Sequence, residues 1–174
     1  MSGLVCVTGR FQPVHEQHLE LFGIALRDAD HLLVAVTNPD AGSRRAEPTS
    51  AHRHLPESNP FTYFERVWLL RAALEACGLS TRTTIVPFDL TRPACWTDYV
   101  PLRARHLVRV YGEWERDKAR RLADAGYPVT VLEGDPAHRI SGSDLRAQVR
   151  DGRATWHDLV PEPVARILRE LGDR

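Results

Sequence analysis

At 174 residues, with 43% hydrophobic and 26% charged positions, the chain is long enough for one globular domain with a sizeable core. Its formal net charge is zero, which removes any global electrostatic case for nucleic acid or an anionic membrane as partner and leaves only local basic clusters. No apolar run approaches the roughly 20 residues of a membrane span, no signal-peptide pattern precedes the first strand, and a cytoplasmic location is expected.

Strand-like and helix-like segments alternate along the chain. The apolar run from Leu4 reads as a buried parallel strand ending at Thr8. A helix is expected from about His15 to Arg27, with Leu19, Leu21, Phe22 and Leu26 on its apolar face. His31 to Val36 is a second strand, and Asn38 to Ser58 a long polar connection. Val67, Leu70, Leu74 and Cys77 keep helical spacing up to a stop at Gly78. Thr84 to Phe88 and Leu107 to Tyr111 are the third and fourth strands. A charged helix from Glu113 to Ala125 stops at Gly126, and Pro128 to Leu132 is the fifth strand. Ser143 is expected to cap a short helix, and Pro161 to Leu171 forms the last one. The alternation implies an α/β fold: one Rossmann-like domain over residues 1–174, with a five-stranded parallel sheet covered by helices on both faces. Cys6, Cys77 and Cys95 are odd in number, far apart and in no metal-ligand spacing, so they read as small hydrophobes in a reducing compartment.

The chemistry concentrates after the first strand, in Gly9-Arg10-Phe11-Gln12-Pro13-Val14-His15-Glu16-Gln17-His18. Two histidines three residues apart at a helix start share a face. They sit beside unpaired backbone N–H groups that favour an anion, which makes a phosphate site. In open parallel sheets such a site lies at the carboxyl ends of the strands, near the topological switch point. Ser141, Ser143 and Arg146 form a second candidate clamp. Capping explains the serines but not an arginine in a first helical turn, where the dipole disfavours a cation unless an anion binds. The connection 38–58 carries Arg44, Arg45, His52, Arg53 and His54, and reads either as a mobile solvated loop or as a cationic lid over a polyanion. A His52/His54 metal pair lacks further ligands nearby.

The first segment resembles the H-x-G-H motif of the nucleotidyltransferase superfamily, with G-R-F-Q-P closest to the archaeal type of nicotinamide-mononucleotide adenylyltransferase. Asn59-Pro60-Phe61-Thr62 with Glu65-Arg66 resembles that family's N-P-F-T-x-x-E-R, and Arg139 to Arg146 its R-I-S-G-T-E-I-R. The resemblance implies attack of an acceptor oxygen on the α-phosphorus of a nucleoside triphosphate, CTP or ATP, with Mg²⁺ and release of pyrophosphate. It assigns His15, His18 and Arg146 to catalysis, and Gly9, Arg10, Phe11, Gln12, Ser141 and Ser143 to nucleotide binding. Trp96 matches a tryptophan that stacks on nicotinamide, or else packs in the core. Three departures stand out: Gln17 replaces the motif's glycine, Val14 a phenylalanine, and Gly112-Glu113-Trp114 a small polar residue followed by Asn-Pro. The connection 38–58 is also longer than in the archaeal enzymes. Asn38-Pro39-Asp40 and Asn59 to Arg66 are similar to the phosphonoformate cytidylyltransferase branch of phosphinothricin-type biosynthesis. A small trianionic phosphonate held by Arg44, Arg45 and Arg53, with Trp96 beside it, is therefore the expected acceptor. Nicotinamide-mononucleotide adenylylation and a non-catalytic nucleotide sensor stand as alternatives. The archaeal relatives form homo-oligomers, so the resemblance allows one here.

Overall fold

In the computed structural model, which describes residues 3–172, eleven regular elements follow one another. They are β1 (Leu4–Gly9), α1 (Glu16–Ala25), β2 (His31–Thr37), α2 (Tyr63–Ala76), β3 (Thr83–Phe88), α3 (Trp96–Tyr99), β4 (Arg105–Val110), α4 (Glu113–Asp124), β5 (Val129–Glu133), α5 (Gly142–Arg150) and α6 (Glu162–Gly172). The strands make one parallel sheet in the order β3-β2-β1-β4-β5, so the chain winds outward from β1 in both directions and reverses between β1 and β4. This is the α/β, Rossmann-like architecture expected from the alternation.

The period-two geometry of the strands divides the interior into two cores. Val5 and Val7 of β1 face one side, where Phe22 of α1, Leu69 and Leu70 of α2, Leu145 of α5 and Val164 and Leu168 of α6 meet them. Cys6 faces the other, with Leu33 and Ala35 of β2, Trp96 of α3, Leu122 of α4 and Tyr127. The buried Cys6 is thus a packing residue, and burial pushes its thiol pKa up.

Two helix boundaries differ from expectation. Helix α1 begins at Glu16, with His15 as its N-cap, and ends at Ala25 rather than Arg27. Ser141, not Ser143, caps α5, its hydroxyl accepting from the Asp144 N–H at 3.4 Å. The need to bury Leu145 sets the phase of α5, and that brings the Ser141 hydroxyl within reach of the Asp144 N–H. Arg146 consequently stands in the second turn. Its long side chain still leans back to the positive end of the helix, as helical side chains do.

The connection 38–58 is folded. Short 3₁₀ turns span Ala41–Ser43 and Pro56–Ser58, and Asp40 and Ser43 cap one another. Asn59 donates to the carbonyls of Arg53 and Leu55, both at 2.8 Å, which ties the loop off at its end. The stretch after it is a helix start: Thr62 and Glu65 make a reciprocal capping box on α2.

Candidate active site

A cleft opens at the carboxyl ends of β1 and β4, where the strand order reverses. Its first wall is the turn after β1. Phe11 takes a left-handed φ of 50° and folds its ring back over Gly9, where an added Cβ would lie 2.8 Å from the ring. Only glycine fits at that position. The Phe11 ring meets His18 edge-on, with centroids 4.9 Å apart. Gln12 exchanges two 3.0 Å hydrogen bonds with the backbone of Phe61. The turn is also held from beneath by Arg66, whose guanidinium is 0% exposed. It donates to the carbonyls of Thr62, Arg10, Thr37 and Asn38, drawing together the ends of β1 and β2.

His15 and His18 stack face to face at 3.7 Å in the cleft. His18 Nδ1 accepts from the His15 main-chain N–H at 3.2 Å, so a neutral His18 carries its proton on Nε2. His15 Nδ1 is buried and has no hydrogen-bond partner. Burial, followed by Arg139 and Arg109, lowers the His15 pKa to about 3. Burial, followed by the charge of His15, also holds His18 well below its ordinary value. With their pKa values lowered in this way, both rings are neutral at neutral pH and can donate a hydrogen bond into the cleft.

Cations surround them. Arg10, Arg53, Arg109, Lys118, Arg139 and Arg146 line the cleft, against one carboxylate, Glu115. Arg146 reaches from α5 to the Gln12 carbonyl at 2.8 Å and to Ser143 Oγ at 3.1 Å. Ser141 and Ser143 border the outer part of the opening. Burial, then Arg53, Arg146, Arg66 and Arg139, lowers the Arg10 pKa to about 9. So many positive groups disfavour one another without an anion between them.

The predicted acceptor residues separate. Arg53 faces the cleft: its guanidinium lies 3.3 Å over the Trp114 ring, and it pairs with Glu115 at 3.9 Å. Arg44 and Arg45 line neither the cleft nor its outer extension. Trp96 is 2% exposed, stacks on Phe88 and donates Nε1 to the Asp89 carbonyl at 2.8 Å, so it lies in the core and presents no face to the cleft. Gln17 does not crowd the opening freely. Its amide nitrogen donates to the His138 carbonyl, and its oxygen accepts from the Ile140 N–H at 2.7 Å. It stitches α1 to the loop before α5.

Sequence reasoning marked Gly112-Glu113-Trp114 as a departure but missed Glu115, Lys118 and what Trp114 holds. Trp114 donates Nε1 to Glu47 at 2.6 Å and holds the loop down, with Arg121 pairing to Glu47 at 3.9 Å. Glu115 sits between Arg53 and Arg139, and Arg139 stacks on Tyr111 at 4.6 Å. Lys118 is 8% exposed and lines the cleft floor. One signal was available: Lys118 is the single lysine among 23 basic residues, and it shares a helical face with Trp114, Glu115 and Leu122.

Sequence comparison matches residues 6–148 to the cytidylyltransferase-like family. The chain is 36% identical over 173 residues to a phosphonoformate cytidylyltransferase of Streptomyces viridochromogenes, covering 99% of this chain and 94% of the relative. It is 29% identical over 164 residues to a nicotinamide-nucleotide adenylyltransferase of Thermococcus onnurineus, covering 94% and 80%. In fold it is similar to a bifunctional NMN adenylyltransferase/ADP ribose pyrophosphatase from Francisella tularensis solved with AMP and a manganese ion. The TM-score there is 0.70 at 14% identity, and the chain spans 50% of that protein's length.

Proposed function

The chain belongs to the cytidylyltransferase-like family and is a nucleotidyltransferase, and we propose that it transfers CMP from CTP to phosphonoformate. A phosphonate oxygen attacks the α-phosphorus, the bond to the β-phosphate bridging oxygen breaks, and pyrophosphate leaves with that electron pair. Two polyanions must be brought together, so catalysis is alignment and charge screening. The observation that carries the reading is the crowd of six cations around one carboxylate at the switch point. His15 and His18 donate to the triphosphate as charge moves onto its bridging oxygens, and Arg146 clamps it from α5. Arg10 lies between this group and Arg53, which faces the acceptor. A compact trianion suits the α4 side better than a nucleotide, because Trp96 lies in the core and the aromatic rings that do line the cleft, Trp114 and Tyr111, are stacked by the Arg53 and Arg139 guanidinium groups. Among the described residues no cluster of His, Cys, Asp or Glu could hold a metal ion. Mg²⁺ fits this donor set only as the triphosphate's own counter-ion, keeping several waters, where it would screen the phosphate charge. No helix among the described residues is long and apolar enough to cross a membrane.

The test is pyrophosphate release across four triphosphates, each with phosphonoformate, nicotinamide mononucleotide and other small acceptors. CTP with phosphonoformate should give the highest kcat/KM. If ATP with nicotinamide mononucleotide wins by about tenfold, or about 1.4 kcal/mol of transition-state preference, the adenylyltransferase reading replaces this one.

A further inference from the structure

We propose that the Lys118 ammonium and the Thr8 hydroxyl form the carboxylate end of the acceptor subsite, the part of the cleft that tells a carboxylate-bearing phosphonate from a plain one. The assignment rests on the transfer to phosphonoformate proposed above. The cleft straddles the sheet. The histidines occupy the α1 side, and Thr8 and Lys118 line the α4 side. Strand alternation puts the Thr8 side chain on the same face as Cys6, the face that α4 covers.

Both groups are buried and under-satisfied. Thr8 is 8% exposed, and its Oγ1 has no hydrogen-bond partner. The Lys118 amine has three donors and one long hydrogen bond, 3.4 Å to the Thr8 carbonyl. Its other close neighbour is the face of Trp114, 5.3 Å away. Glu115, one helical turn back, is engaged by Arg53 and Arg139. A buried hydroxyl and ammonium left this way cost folding free energy, and a carboxylate between them satisfies both. The acceptor's chemistry sets the direction. In phosphonoformate the carboxylate is bonded to phosphorus itself. When a phosphonate oxygen faces the α-phosphorus at the switch point, the carboxylate must lie to one side. The histidine side holds the negative triphosphate, so the carboxylate turns toward α4.

Burial, followed by Arg53, lowers the Lys118 pKa to about 8. The charged and titratable groups facing it are Cys6 from β1, His106 from β4, His18 from α1, Arg53 from the loop and Glu115 from α4. An anion needs the protonated amine, so the KM for phosphonoformate should rise as pH passes through about 8. Arg10 affects wild type and variants alike and cancels in their comparison.

The experiment measures pyrophosphate release with CTP and phosphonoformate, with methylphosphonate as a competing ligand, in wild type, Lys118→Met and Thr8→Val. Lys118→Met should raise the phosphonoformate KM by about tenfold or more and flatten its rise between about pH 7 and 9. The KM for CTP and the inhibition constant of methylphosphonate should stay within about twofold. Thr8→Val should raise the phosphonoformate KM several-fold without lowering the thermal midpoint. An unchanged phosphonoformate KM in Lys118→Met overturns the assignment and leaves the transfer reading standing. If Lys118→Met does not fold, an unchanged KM in Thr8→Val overturns it instead. Wild type that does not use phosphonoformate at all overturns both.

Discussion

Arg66 turns its guanidinium into the interior and satisfies it on four main-chain carbonyls, three of which belong to the turn after β1 and the end of β2. It does not itself line the cleft, yet the cleft's first wall hangs on it. Arg66→Met takes the side-chain donor from the Arg10, Thr37 and Asn38 carbonyls at the base of the turn, and should cost about 3 kcal/mol or more of unfolding free energy by urea titration. The arginine of N-P-F-T-x-x-E-R therefore reads as part of the scaffold. The histidines differ: His15 Nδ1 has no partner, and the His18 ring makes a single hydrogen bond to the main chain, from the His15 N–H. His15→Ala and His18→Ala should each lower kcat on the order of 10²-fold with the circular dichroism spectrum unchanged. Near-wild-type kcat in both would remove them from the chemistry.

At the scale of elements, the connection 38–58 behaves as a strap closed onto α4. Trp114 is its fastening point, taking a hydrogen bond partner in Glu47 and a stacked cation in Arg53. Trp114→Ala should open the strap. Limited proteolysis should then cut within 38–58 faster than in wild type, and the acceptor KM should rise more than the CTP KM. Because Arg44 and Arg45 line neither part of the opening, Arg53→Ala alone should reproduce the acceptor defect of neutralising all three arginines. A triple variant much worse than the single one would return Arg44 or Arg45 to the site. Helix α5 depends on its own cap, and Ser141→Ala should cost about 1 kcal/mol of stability.

For the whole molecule, acid stability follows from the imidazoles of His15, His18 and His106, whose protonation burial opposes. His106 is 0% exposed with neither ring nitrogen hydrogen-bonded, and burial lowers its pKa to about 3, as it does for His15. An unfolded histidine titrates near about 6.5, so below that pH the unfolded chain binds more protons than the folded one. The histidine contribution to stability should therefore be level above about pH 6.5 and fall as the pH drops toward 3. His106→Leu removes one of these groups and two unpaired buried atoms. It should raise the thermal midpoint at neutral pH and flatten the acid limb, with kcat unchanged. A lower midpoint at every pH would show that the ring's contact with Tyr127, at 4.7 Å, outweighs its unpaired nitrogens.

The alternation of apolar runs with helical patterns was enough, on its own, to order the elements and make the sheet parallel. The turn from Gly9 to His18 located the site, because strand end, turn and helix start are contiguous in the chain. Ser141, one hydroxyl away from the serine expected to cap α5, was within the ambiguity of a local signal. What the sequence could not decide lies between segments distant in the chain. Trp96 looks available for stacking in sequence, but packing against Phe88 under β3 takes it into the core. Arg44 and Arg45 stand eight or nine positions before Arg53, yet the folded loop turns only Arg53 to the cleft. Glu115 and Lys118 carry no motif, and Trp114 only marks a departure from one. They matter because the reversal between β1 and β4 sets α4 across from α1 and opens the space between them. Local periodicity encodes which element forms, but only the closing of the sheet determines which side chains converge on the cleft.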